Sequence, residues 1–137
     1  MNGSILMIAL IVMLVATSST PLNAQFFSPS FDISPKETRS LIATDTNVVF
    51  LDVRSPMEYN EERIANTPLM PLQYLEQRIN NLDKFKNKKI IVYCHSGNRS
   101  ELAVEIMREY GFNAFNMQGG ILRWKAERFP TINGPIK

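Results

Sequence analysis

From residue 33 onward, short apolar runs alternate with amphipathic stretches. Val48 to Asp52 is an apolar run ending on an acid, and Ile90 to Tyr93 is a β-branched one. Such short unbroken runs predict strands covered on both faces, the habit of parallel sheets. Elsewhere the apolar residues return at helical spacing. Leu102, Ala103, Ile106, Met107 and Tyr110 predict a helix over Ser100 to Tyr110, and Leu75, Ile79 and Leu82 share one face of Gln73 to Leu82. Ser34-Pro35-Lys36-Glu37 and Ser55-Pro56-Met57-Glu58 each offer a capping Ser, a Pro at the first helical position and a Glu closing the box. The first opens a helix to about Ala43, the second a short one. Pro68 to Pro71 reads as extended. Gly111 stops the helix before it. Phe112 to Met117 predicts an edge or near-edge strand. Gln118-Gly119-Gly120 turns into a last helix, Ile121 to Arg128, ended by Pro130. Strands alternating with helices predict an α/β fold: a doubly wound parallel sheet flanked by helices, with the site at the carboxyl ends of the strands.

Between the strand ending at Tyr93 and the helix from Ser100 lies a tight loop, Cys94 to Arg99, holding the one cysteine of the chain. A strand feeding a helix in this way points backbone N–H groups and the positive helix end into the loop mouth. An anionic sulfur gains from both, which makes Cys94 a candidate nucleophile. A lone cysteine is commonly just a small buried hydrophobe. Two neighbours argue otherwise. Gly97 permits positive φ and close backbone approach. Arg99 sits at a helix start, where the dipole disfavours a cation unless an anion offsets it, and its planar fork suits an oxyanion. Asp52 and Arg54 at the end of the other strand read as braces for the loops by charge-assisted hydrogen bonds, with Glu58 as a partner for Arg54.

Composition narrows the remaining choices. The chain has 137 residues, suited to one domain. Its net charge of +2 is too small to argue for nucleic acid. Lys84, Lys86, Lys88 and Lys89 read as a solvated turn. With one cysteine no intramolecular disulfide can form. With one histidine, adjacent to that cysteine, no metal-ligand cluster exists, and neither metal nor cofactor is expected. The first 24 residues carry no charged side chain, and Ile5 to Ala16 is an apolar run of 12 residues, short of the roughly 20 of a membrane span. Small and polar residues follow, up to Leu22-Asn23-Ala24. This reads as a signal peptide over residues 1–24, cleaved after Ala24, with export to the periplasm; an uncleaved membrane anchor is the alternative, since Met1 to Ser4 lacks Lys or Arg. Residues 25–32 form a lead-in, 33–130 the domain and 131–137 a tail. An exported protein with an unpaired cysteine invites a functional explanation for it.

Cys94-His95-Ser96-Gly97-Asn98-Arg99-Ser100 resembles the active-site loop of single-domain rhodaneses, the thiosulfate sulfurtransferases, whose pattern is Cys-x-x-Gly-x-Arg-Ser/Thr. The resemblance runs from about Ile33 to Phe129. It includes Leu51-Asp52-Val53-Arg54 with Glu58-Tyr59, and Gly119-Gly120-Ile121 with Trp124. It implies a rhodanese-like fold and a sulfurtransferase. Cys94 would attack the outer sulfur of thiosulfate or a related donor and become a persulfide. Cyanide or another thiol would then accept the sulfur. Arg99 would bind the donor's oxyanion. The loop of His95, Ser96, Gly97, Asn98 and Ser100 would bind substrate, its N–H groups holding the persulfide charge. His95 is expected to point away from this cradle. Asp52, Arg54 and Glu58 would be supporting residues. Trp124, Met107 and Met117 are read as packing.

One stretch departs from the family. Where Gly-His-Ile-x-Gly-Ala is usual, the chain has Glu62-Arg63-Ile64-Ala65-Asn66-Thr67. Asn66 tolerates the left-handed conformation, so the turn is expected to survive. Two other functions fit the same cradle: a cysteine phosphatase or arsenate reductase, and a persulfide-carrying binding module. Only four residues separate Cys94 from Arg99, whereas cysteine phosphatases resembling this cradle carry five, which speaks against the first. The expected partners are a small-molecule sulfur donor and a thiophilic acceptor, with no nucleic acid and no stable membrane span.

Overall fold

Two apolar five-residue runs make the centre of the molecule. In the structure, a computed structural model that describes residues 30–135, strand β2 is Val48–Asp52 and strand β4 is Lys89–Tyr93. They pair in parallel, with Val49 opposite Ile90 and Leu51 opposite Val92. Strand β5, Asn113–Met117, lies on the other side of β4, and the two-residue β1, Asp32–Ile33, closes that edge. The order is β1-β5-β4-β2, all parallel. The expectation for residues 1–24 lies outside the described residues. Among the described residues no helix is long and apolar enough to cross a membrane.

Alternation along the strands feeds two cores. Val49, Leu51, Ile90 and Val92 face helix α3, Asn98–Glu109, through Ala103, Val104 and Met107, and also meet Leu75, Ile79 and Leu82. Phe50, Ile91 and Tyr93 face the opposite way, toward Leu41 of α1, Pro35–Thr44, and Ile121 and Trp124 of α4, Gly120–Ala126. The sheet is therefore flanked by helices on both faces, as the sequence predicts. Trp124 is packing: its ring is tilted on Phe50 at 5.7 Å and edge-on to Phe129 at 5.0 Å, and its indole N–H donates to the Pro130 carbonyl at 2.9 Å. Met107 and Met117 are fully buried. The period of two carries past β4, so Cys94 falls on the α3 side with Ile90 and Val92.

Both capping boxes form. Ser34 and Glu37 cap α1, and Ser55 and Glu58 cap α2, Pro56–Glu61. The stretch after Pro71 differs from expectation. Leu75, Ile79 and Leu82 are buried, but the backbone makes two 3₁₀ segments, Leu72–Tyr74 and Ile79–Phe85, instead of one α-helix. Arg78, at φ −116° and ψ 18°, leaves helical dihedrals and splits it.

A second, antiparallel ladder pairs β3, Glu62–Arg63, with β6, Ile132–Asn133. It explains the departure around Arg63. The Arg63 guanidinium donates to the carbonyls of Tyr59 and Gly134 and lies 4.8 Å over the Tyr59 ring. Glu62 accepts from Lys125 and Thr131, each at 2.7 Å, and these bonds hold its carboxyl below the usual range. Both side chains tie the C-terminal segment to the body. Asn66 does take the left-handed conformation, at φ 60°.

Candidate active site

The end of β4 and the start of α3 form the loop as one turn. Cys94 is 1% exposed, its sulfur at the loop base. The Gly97 N–H donates to Sγ at 3.1 Å, and the Ser100 hydroxyl lies 3.3 Å from it. Gly97, at φ 106°, is the N-cap of α3, and a Cβ there would stand 3.1 Å from the Gly119 nitrogen. Gly120 is more restrictive still: its Cβ would lie on the carbonyl oxygens of Cys94 and His95. That close approach lets the first turn of α4 hold the loop from behind, with Ile121 N–H on the Cys94 carbonyl at 2.9 Å and Leu122 N–H on that of His95 at 3.1 Å. The Gly119-Gly120-Ile121 motif is thus the loop's back wall. Of the loop amides, Gly97 alone bonds the sulfur among the described residues. Ser96 and Asn98 are exposed. His95 is exposed and lines an adjoining cleft.

Two ion pairs frame the mouth. Asp52 and Arg54 are buried, joined at 2.7 Å between Nη2 and Oδ2 and again through Nε. Arg54 also donates to the Glu62 carbonyl at 2.7 Å. Burial alone opposes the Arg54 charge, but the hydrogen bonds of Asp52 outweigh it and raise its pKa. The pair thereby links the end of β2 to the Glu62 main chain. Glu58 does not partner Arg54. Its carboxylate forks with Arg99 instead, at 2.8 Å from Nη1 and 2.7 Å from Nη2, because the capping bond from the Ser55 N–H at 3.0 Å fixes it facing α3. The Arg99 bonds, helped by Ser55, hold the Glu58 carboxyl down at about 2.

Arg99 stands between two clefts. One, of about 240 Å³, is lined by Arg54, Glu58, Glu61, His95, Leu122 and Lys125 among others. The second, of about 250 Å³, lies against Val53, Ser55, Pro71, Leu72 and Gln73. Arg99 lines both clefts. No group of three or more metal-ligating side chains occurs among the described residues.

Two contributors escape sequence reasoning. Asn116 of β5 accepts from Ser100 at 2.6 Å, and Asp32 of β1 accepts from Asn116 at 3.0 Å. The signal available was a buried-strand asparagine flanked by Phe115 and Met117.

The sheet, the loop and its glycine wall together define a thiol-bearing loop domain at a strand-to-helix turn. The chain belongs to the rhodanese-like domain family, whose model matches residues 34–127. A crystal structure of a rhodanese-related protein from Thermoplasma volcanium superposes with a TM-score of 0.67 at 33% identity, over 74% of this chain and 96% of that one. A protein of Allochromatium vinosum named as a sulfurtransferase is 24% identical over 74% of this chain and 94% of its own length. A Bacillus subtilis protein named as a sulfur carrier, YrkF, is 34% identical over 68% of this chain and 50% of its own length. An uncharacterized Synechocystis protein is likewise 34% identical, with 59% of its length covered. The chain thus spans only part of those two relatives.

Proposed function

We propose that the protein is a sulfurtransferase working through a Cys94 persulfide. The Cys94 sulfur attacks the outer sulfur of thiosulfate or a related donor. An S–S bond forms to Cys94, the donor's own sulfur–sulfur bond breaks, and sulfite leaves with that electron pair. Cyanide, or a thiol, then takes the outer sulfur and returns Cys94 to its starting state, a two-step covalent route with ping-pong kinetics. The carrying observation is the Cys94 sulfur fixed under the start of a 12-residue helix by the Gly97 N–H. The preorganised dipole favours negative charge on that sulfur where the reaction develops it. Arg99 is the donor's anchor, exchanging its carboxylate partner for the donor's oxyanion.

The four-residue spacing from Cys94 to Arg99 supports sulfur transfer over phosphoryl transfer. A mouth shorter by one residue suits a two-coordinate sulfur better than a trigonal-bipyramidal phosphorus, and catalysis depends on fitting the transition state. A second reading, a persulfide carrier with slow turnover, is favoured by the 1% exposure of Cys94 and by the occupied Arg99 fork. Thiosulfate-to-cyanide transfer by wild type and its loss in Cys94→Ser test the proposal. Efficient cleavage of para-nitrophenyl phosphate with no use of thiosulfate would instead support the phosphatase. Export to the periplasm after cleavage at Ala24 belongs to the same proposal. N-terminal sequencing from a native-like host should give Gln25, and an intact Met1 in a membrane fraction would support the anchor.

A further inference from the structure

Behind the reacting sulfur a chain of polar side chains leads to the sheet edge. Ser100 is fully buried and Asn116 is 7% exposed. Asp32 stands directly opposite Asn116 in the β1–β5 ladder, so the two-residue strand serves to bring its carboxylate there. Asp32 only accepts hydrogen bonds, which fixes the orientation of the Asn116 amide. Its NH₂ points at Asp32, at 3.0 Å, and its carbonyl oxygen at Ser100, at 2.6 Å. The second Asp32 oxygen receives Ser30 at 3.1 Å and Gln118 at 3.4 Å.

The Ser100 hydroxyl has one proton and three acceptors around it. These are the Asn116 carbonyl oxygen at 2.6 Å, the Gly97 carbonyl at 3.1 Å and the Cys94 sulfur at 3.3 Å. The shortest contact takes the proton. Ser100 then turns a lone pair toward Sγ. That arrangement suits a neutral thiol, which can donate to it, and disfavours an anionic sulfur. To serve the anion, the hydroxyl must swing to Sγ and leave a buried amide oxygen without its donor, which is unfavourable.

We propose that Asn116, oriented by Asp32, is a positioning residue that directs the Ser100 proton away from Cys94 and so damps the reactivity of its sulfur. This rests on Cys94 being the reacting sulfur and adds a restraint on that same site.

The test is the rate of iodoacetamide alkylation of the folded protein at one fixed pH, a readout that needs no sulfur transfer. Asp32 is exposed, so Asp32→Ala should leave the fold intact while freeing the Asn116 amide to turn its NH₂ to Ser100. The Ser100 proton then goes to sulfur. Alkylation should rise roughly three- to tenfold, the range that one neutral hydrogen bond spans. Asn116→Leu should speed alkylation as Asp32→Ala does. In a Ser100→Ala background the effect of Asp32→Ala should vanish. An unchanged rate in Asp32→Ala, an unchanged rate in Asn116→Leu, or an acceleration that survives without Ser100 would overturn the proposal. Absence of added sulfur on Cys94 after thiosulfate would count against the sulfurtransferase reading alone.

Discussion

Glu58→Gln separates the two duties of that carboxylate. Gln can keep the capping bond to the Ser55 N–H but gives Arg99 no charge. The folded Glu58 carboxyl titrates at about 2 rather than 4.5. At about 1.36 kcal/mol per pH unit, the interval bounds its contribution near 3 kcal/mol. Its side chain is 31% exposed and that of Arg99 40%, so solvent screening reduces this to about 1–1.5 kcal/mol. Because the folded value is depressed, this stabilisation is fully present above about pH 4.5 and is lost as pH falls through about 2. Denaturant unfolding at neutral pH should show Glu58→Gln less stable by that amount, and the gap should close as the pH approaches 2. The same change releases the Arg99 fork. Removing a competing unit charge should lower the KM for thiosulfate by about three- to tenfold, given the ~1 kcal/mol of a screened pair. A KM that stays the same or rises, with the loss of stability present, would refute the idea that Glu58 competes with the donor for Arg99.

Two further substitutions probe the loop. Gly120→Ala places a Cβ on two backbone carbonyls at φ 58°, which no side-chain rotation relieves, and should cost at least about 3 kcal/mol in denaturant unfolding together with most activity; a variant within 1 kcal/mol of wild type, on the order of an ordinary surface change, would mean that the wall is not rigid. Arg99→Lys keeps charge but loses the bidentate fork, and should reduce kcat/KM for thiosulfate far more than a surface Arg→Lys change does, while an equal value would show that Arg99 is not the anchor.

Much of this architecture is written locally. Ser34 with Glu37, and Ser55 with Glu58, announce their helices because each capping box is closed within four residues. The apolar runs of β2 and β4 state that both faces are covered. The loop motif places Cys94, Gly97 and Arg99 because strand, turn and helix are contiguous there. What escapes is set by distant partners. Glu58 was legible as a cap, but its choice of Arg99 over Arg54 depends on where α3 begins, 41 residues on. Asp32–Ile33 is too short to show a period and is a strand only because β5 offers it an edge. Ile132–Asn133 pairs with Glu62–Arg63 for the same reason, and only that contact explains Arg63. Asn116 carries no local motif; its meaning comes from Ser100, 16 residues earlier, and from Asp32, 84 residues earlier.

The central claim is that Cys94 carries sulfur. Mass spectrometry of the purified protein after thiosulfate, with peptide mapping, tests it most directly. The expected result is the mass of one added sulfur atom on the peptide containing Cys94, removed again by cyanide. An unchanged mass on that peptide after excess thiosulfate and after a thiol persulfide would contradict it.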